Sequence, residues 1–278
     1  MDSNPYLLFF LGSGAAIFCA ILARYFLYPM LSACPYLQRP NYRQEIVPIS
    51  AGIIFVFAAL PVQAVLSIYQ MQNRTMWLTW MACVLLCTLL GLLDDIAGNR
   101  HDSGLKGHLR ALLKEGRLTT GGLKAAGGLI IAVYVAALFT HSILDFMLGS
   151  VAVALSINVI NIFDLRPGRA GKSFFFFLAL IFLLASFSWE VLSYIFPITI
   201  ALLVYYPLDV KARAMMGDAG ANALGLCLGL TSLWCLSTLS LSIYVLVLFV
   251  IHVIAEKSSI TVIIEKNALL RKIDQLGR

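Results

Sequence analysis

The chain has 278 residues, 60% hydrophobic and only 12% charged, and its 20 Lys and Arg against 14 Asp and Glu leave a net charge of +6. An ordinary soluble domain is roughly 25% charged, and a soluble globule of this length could not hide so much apolar surface. Apolar stretches of about 18 residues or more recur along the whole chain, which is the pattern of an all-α, polytopic helical membrane protein.

In chain order, the first apolar stretch lies near residues 6–28. It is expected to stay in place as an anchor, because "MDSNP" has no basic n-region and no small-residue cleavage site follows. Eight more spans are predicted near 46–68, 76–93, 123–140, 146–163, 173–188, 191–206, 219–236 and 239–255. Only "SFSWE" separates the sixth from the seventh, so a single re-entrant hairpin is the alternative there. Residues 1–255 read as one membrane domain, followed by an amphipathic segment, 256–278.

Charge sets the orientation. With the N-terminus outside and the C-terminus cytoplasmic, 19 of the 20 Lys and Arg fall on the inner side, and only Arg74 lies outside. Basic residues are retained on the cytoplasmic side. Beside anionic headgroups the positive charge needs no nucleic acid to explain it, and it can also serve phosphate ligands. Five of the six cysteines (Cys19, Cys34, Cys83, Cys87, Cys227 and Cys235) lie within spans, so no structural disulfide is expected.

On this orientation the acidic residues sort to one depth. Asp94 and Asp95 end span three in "GLLDDIAGNR", Asp164 ends span five in "SINVINIFDLRPGRAGK", and Asp218 opens span eight in "MMGDAGANALG". Four carboxylates from three helices at a hydrated mouth suit a hard cation such as Mg²⁺, which takes one or two carboxylates plus substrate phosphates. Asn158, Asn161 and Asp164 recur every three residues and are expected to line one helix face. "GDAGAN" puts Asp218 at a helix start, where unpaired N–H groups meet an anion or orient a carboxylate.

The longest inner loop, 96–124, is strongly basic, with a short amphipathic stretch at Leu105, Leu109, Leu112 and Leu113. Membrane-surface docking accounts for Arg110, Lys114 and Arg117. Lys124 opens a helix toward the carboxylates, and a diphosphate contact is its functional reading. His101, His108, His141 and His252 show no metal-ligand spacing. In the last segment, Val262, Leu269, Ile273 and Leu276 form an apolar stripe against Lys266, Arg271 and Lys272, which suits a helix lying on the inner leaflet.

At these residues the chain resembles the polyprenyl-phosphate N-acetylhexosamine-1-phosphate transferases, glycosyltransferase family 4. "NYRQEIVPISAGI" looks like the family's first inner loop, "GLLDDIAG" like its L-D-D motif, "NVINIFD" like N-x-x-N-x-x-D, and "MMGDAGANALG" like M-G-D-x-G-[SA]. The resemblance implies transfer of a sugar 1-phosphate from a UDP-sugar to undecaprenyl phosphate at the cytoplasmic face of the cell membrane. It implies Mg²⁺, with Mn²⁺ as substitute. Asp94, Asp95 and Asp218 are then catalytic, with Asp218 and Asp95 the expected metal ligands. Asn158, Asn161, Asp164, Lys124, Arg166 and Arg169 are the expected substrate contacts. Membrane lipids are further partners, and a homodimer is left open. Asp94 then either orients the lipid phosphate for direct attack or attacks first and forms a phospho-enzyme.

Three features depart from the family pattern. The usual G-x-D-G after Asp164 is replaced by "LRPGRAGK", with Pro167 at the second Asp position. The last inner segment has only His252 where the family carries a histidine cluster, and a tenth span is not expected. The alternatives to an enzyme are a silent paralogue that binds lipid phosphate and a membrane transporter. A transporter tends to place ionisable groups near the membrane midplane, where this chain has no acidic residue.

Overall fold

The apolar runs fold as α-helices, in which a spanning segment satisfies its own backbone hydrogen bonds. The computed structural model describes residues 5–69, 74–98, 110–111, 114, 116–185 and 189–278. In order these form α1 (Pro5–Ala33), a 3-10 turn (Pro35–Leu37), β1 (Gln38–Pro40), β2 (Ile46–Pro48), α2 (Ile53–Tyr69) and α3 (Arg74–Ala97). There follow α4 (Thr120–Phe139), α5 (Ile143–Phe163), α6 (Arg169–Leu184), α7 (Trp189–Val210), α8 (Gly217–Cys235) and α9 (Thr238–Lys257). Two short helices close the chain, α10 (Ile260–Lys266) and α11 (Ala268–Gln275).

Helices α1–α9 stand at the nine predicted positions. Among the described residues, five are long and apolar enough to cross a membrane: Phe9–Ala33, Arg74–Ala97, Thr120–Phe139, Ile143–Phe163 and Thr238–Lys257. Shorter apolar helices cover Ile53–Ile68 and Tyr194–Val210. The amphipathic stretch expected at Leu105–Leu113 lies largely outside the described residues. All six cysteines are unpaired.

Helix α8 is the hub. It is buried without a break from Ala219 to Ser232 and packs chiefly on α5 and α3. Its Gly- and Ala-rich sequence explains this, since small residues let backbones approach where the surrounding lipid offers no hydrophobic drive. The outer helices keep large apolar side chains at the surface, such as Phe10, Phe18 and Phe26 on α1. At the end of the bundle away from the carboxylates, the Tyr194 ring packs at a tilt against Trp77 (4.3 Å between centroids) and Trp234 (4.9 Å), tying α7 to α3 and α8.

Two expectations need correction or completion. The second span does not begin at Ile46. Residues Ile46–Pro48 pair antiparallel with Gln38–Pro40, and the helix starts only at Ile53. Asn41 fixes the hairpin turn, its Oδ1 accepting from Arg43 N (2.8 Å) and Glu45 N (3.1 Å). The strand is then extended from a distant part of the chain: Met215 N donates to Pro48 O, and Ala51 N and Gly52 N donate to Met215 O and Met216 O. The sixth and seventh spans are distinct helices. Gly168 N donates to Asp209 Oδ2 (2.9 Å), so the start of α6 meets the end of α7 at the carboxylate end of the bundle.

Candidate active site

Asp94 and Asp95 are adjacent at the end of α3, yet their carboxylates have different partners. Asp95 accepts from Asp218 N (3.0 Å), Ala219 N (3.2 Å) and Ser50 Oγ (2.6 Å). Met216 precedes α8 and makes no side-chain cap, so Asp95 supplies the N-terminal cap from another helix. A carboxylate there satisfies unpaired N–H groups and sits at the positive end of the helix dipole. Gly217 makes the approach feasible. Its φ of 71° is left-handed, and an added Cβ would lie 2.5 Å from Asp95 Oδ2.

Asp94 faces the other way chemically. Its Oδ1 accepts from Thr120 Oγ1 (2.6 Å), and its Oδ2 pairs with Lys124 Nζ (2.7 Å). The same ammonium pairs with Asp218 Oδ2. Three helices, α3, α4 and α8, thus meet at one cation. Gly91 lets α8 come close, since a Cβ there would be 2.4 Å from the Asp218 carbonyl.

These groups line a cleft of about 750 Å³, within the size range of ligand sites. Arg39, Tyr42, Arg117, Asp164, Arg166 and Asp209 also line it. Asp164 caps the end of α5 and accepts from Gly217 N. Burial, and then the like charges of Asp209, Asp218 and Asp95, push its carboxyl well above the usual carboxylate range. Arg166 lies over the Tyr42 ring at 5.3 Å, and Arg43 lies 5.1 Å from the same ring.

The expected substrate contacts therefore divide. Lys124, Asp164 and Arg166 line the cleft. Asn158 does not: it is exposed on the outer surface of α5. Steps of three residues drift by about 60° each on a helix, which carries Asn158 away from Asp164. Asn161 hydrogen-bonds to the buried Asn222 of α8, a helix-packing contact. Arg169 is 4% exposed and absent from the cleft lining. Its Nε and Nη2 donate to Asp274 (2.8 and 3.0 Å), and its Nη1 donates to Thr261 (2.9 Å).

Five lining or supporting residues were not anticipated: Arg39, Tyr42, Ser50, Thr120 and Asp209. Asp209 had a usable signal, an acidic residue three positions past the expected end of span seven, at the depth of the other carboxylates. The others depend on the hairpin and on the α4 start, which periodicity does not reveal.

No group of three or more His, Cys, Asp or Glu side chains is gathered for a metal among the described residues. The donor chemistry nevertheless fits a hard divalent cation. Oxygens of Asp94 and Asp218 converge on the point held by the Lys124 ammonium, and Mg²⁺ completes its shell with water and substrate phosphates. Asp95, also expected as a ligand, accepts the two backbone hydrogen bonds that cap α8 and a third from Ser50 Oγ.

The model of glycosyl transferase family 4 matches residues 77–236, from the first turn of α3 to the end of α8. The chain belongs to glycosyl transferase family 4. The family 4 match contains Asp94, Asp95, Lys124, Asp164 and Asp218, so the carboxylate centre lies wholly inside it. Membership makes the protein a polyprenyl-phosphate sugar-1-phosphate transferase in the general sense, a membrane enzyme acting on lipid phosphate and a sugar nucleotide. A search of curated proteins returned no match. The hairpin with Tyr42, and helices α9–α11, lie outside the family 4 region.

Proposed function

We propose that the chain transfers N-acetylhexosamine 1-phosphate from a UDP-sugar to undecaprenyl phosphate at the cytoplasmic face of the cell membrane, starting a lipid-linked cell-envelope glycan. The observation that carries this reading is the meeting of Asp94, Lys124 and Asp218 in a cleft rimmed by Arg39, Arg117 and Arg166. Phosphoryl transfer between two anions depends on positioning and charge neutralisation, with little covalent work for the protein. Arg166 suits a diphosphate because a guanidinium donates bidentately. Asp94 faces the cleft and has the role of orienting the attacking lipid phosphate, while Asp95 holds α8 and thereby Asp218. When bound, Mg²⁺ held by Asp218 and Asp94 supplies neutralisation of the diphosphate. The 19-to-1 partition of basic residues supports a cytoplasmic cleft.

The test is incubation of purified protein with undecaprenyl phosphate, Mg²⁺ and a panel of UDP-sugars, with UMP release as readout. Release is expected with an N-acetylhexosamine donor and is expected to vanish in Asp94→Asn. No release with any donor refutes the reading.

A further inference from the structure

We infer that α11 is a seating helix for an acidic lipid surface, fastened by Asp274 to the first turn of α6 and by Arg278 to the loop that carries Arg166. Helix α11 is started by Asn267, whose Oδ1 accepts from Leu269 N and Leu270 N. Leu269, Leu270, Ile273 and Leu276 are 66%, 41%, 50% and 69% exposed. At 100° per residue they occupy about 120° of one side of the helix. Four large aliphatic side chains on so short a helix form a patch that marks an interaction surface.

The placement of the patch identifies what covers it. Asp274 turns toward the bundle, and the centre of the apolar side lies about 110° around the helix from it. The patch therefore faces sideways from the bundle, where lipid surrounds it. The level is set by Arg169, the first residue of α6, at the end of the bundle where α7 also terminates. Lys266, Arg271 and Lys272 are exposed around the patch. An apolar stripe with a basic flank, held at the ends of membrane helices, fits acidic headgroups over acyl chains. A second copy of the chain fits poorly, since it would bring the same positive charges together.

The seating is joined to the cleft. Arg169 makes a two-point contact with Asp274, Lys172 Nζ donates to Asp274 O (2.7 Å), and Arg278 Nε donates to Pro167 O (2.7 Å). Pro167 follows Arg166 directly. The lipid-facing helix and the cleft-lining loop thus share one set of hydrogen bonds.

The experiment uses the full chain in lipid nanodiscs, either pure phosphatidylcholine or with about 30% phosphatidylglycerol. A nitrobenzoxadiazole probe is placed on a cysteine introduced at Leu276 or, as control, at the exposed Gln275, and labelled unsubstituted protein is subtracted. Brominated acyl chains are expected to quench the Leu276 probe about threefold more than the Gln275 probe. Quenching is expected to rise with phosphatidylglycerol and to fall by about half in Lys266→Gln/Lys272→Gln. Equal quenching at the two positions, no dependence on acidic lipid, or probe–probe self-quenching without lipid quenching would each overturn the inference.

Discussion

The carboxylate of Asp95 caps the helix that begins at Asp218, across 123 residues of sequence. Its neighbour Asp94 takes no backbone N–H of that helix start; it meets the Asp218 side chain and shares Lys124 with it. Two adjacent acids therefore give different mutational signatures. Asp94→Asn is expected to abolish UMP release while leaving the detergent melting temperature nearly unchanged. Asp95→Ala is expected to abolish release and also to destabilise the fold by about 0.5–2 kcal/mol, the range for a lost N-cap. Equal melting temperatures for the two variants would contradict the capping role.

Lys124 pairs with two carboxyl groups that also touch each other, and its charge offsets their repulsion. In Lys124→Met, with chelator present, the melting temperature is expected to fall. Added Mg²⁺ is then expected to raise it more than in the unsubstituted protein, because a bound cation stabilises by mass action. An identical Mg²⁺ response in both proteins would remove Asp94 and Asp218 as the cation site.

Burial raises the Asp274 carboxyl, but the Arg169 hydrogen bond and the charges of Arg169, Arg278 and Lys172 outweigh it and leave it below the usual range. A lowered folded pKa stabilises the clamp above the unfolded value of about 3.9. That contribution is lost as pH falls through the folded value. Release of the C-terminal segment is thus expected below about pH 4, read by proteolysis beyond Lys257 while the bundle stays folded. Asp274→Asn is expected to release it at neutral pH. Removing one partner of such a buried pair costs about 3–5 kcal/mol.

Arg166 rests on Tyr42, an exposed cation–π contact worth about 0.5–1 kcal/mol. Tyr42→Ala is expected to raise the donor KM by about two- to fivefold with little change in kcat, and Tyr42→Phe is expected to restore it. Arg166→Ala is expected to raise KM further. An unchanged KM in Tyr42→Ala would show that the ring does not position the guanidinium.

Hydropathy made the helices legible, because each apolar run has to satisfy its backbone internally. It misread Ile46–Pro48, apolar residues that form the second strand of a hairpin, whose Pro48 O then accepts from Met215 N. The carboxylate positions were legible as helix ends at a common depth. What sequence spacing could not resolve was direction around the helix and choice of partner. Asn158 falls on the outer face by angular drift. Arg169 is taken by Asp274, a residue 105 positions away. Asp209 reaches the cleft only because α7 continues past Tyr206 to Val210.

The long separation between Asp95 and the helix that it caps has a consequence for biosynthesis. Chains grow at about 5–20 residues per second, so Asp218 emerges roughly 6–25 seconds after Asp95. Throughout that interval α3 is present while its end lacks the N–H groups that later hold it, and two neighbouring negative charges stand hydrated at the membrane face. The centre is assembled only when α8 arrives and slots between α3 and α5. Premature termination between residues 210 and 217 would leave a bundle with seven of its nine long helices and no carboxylate centre.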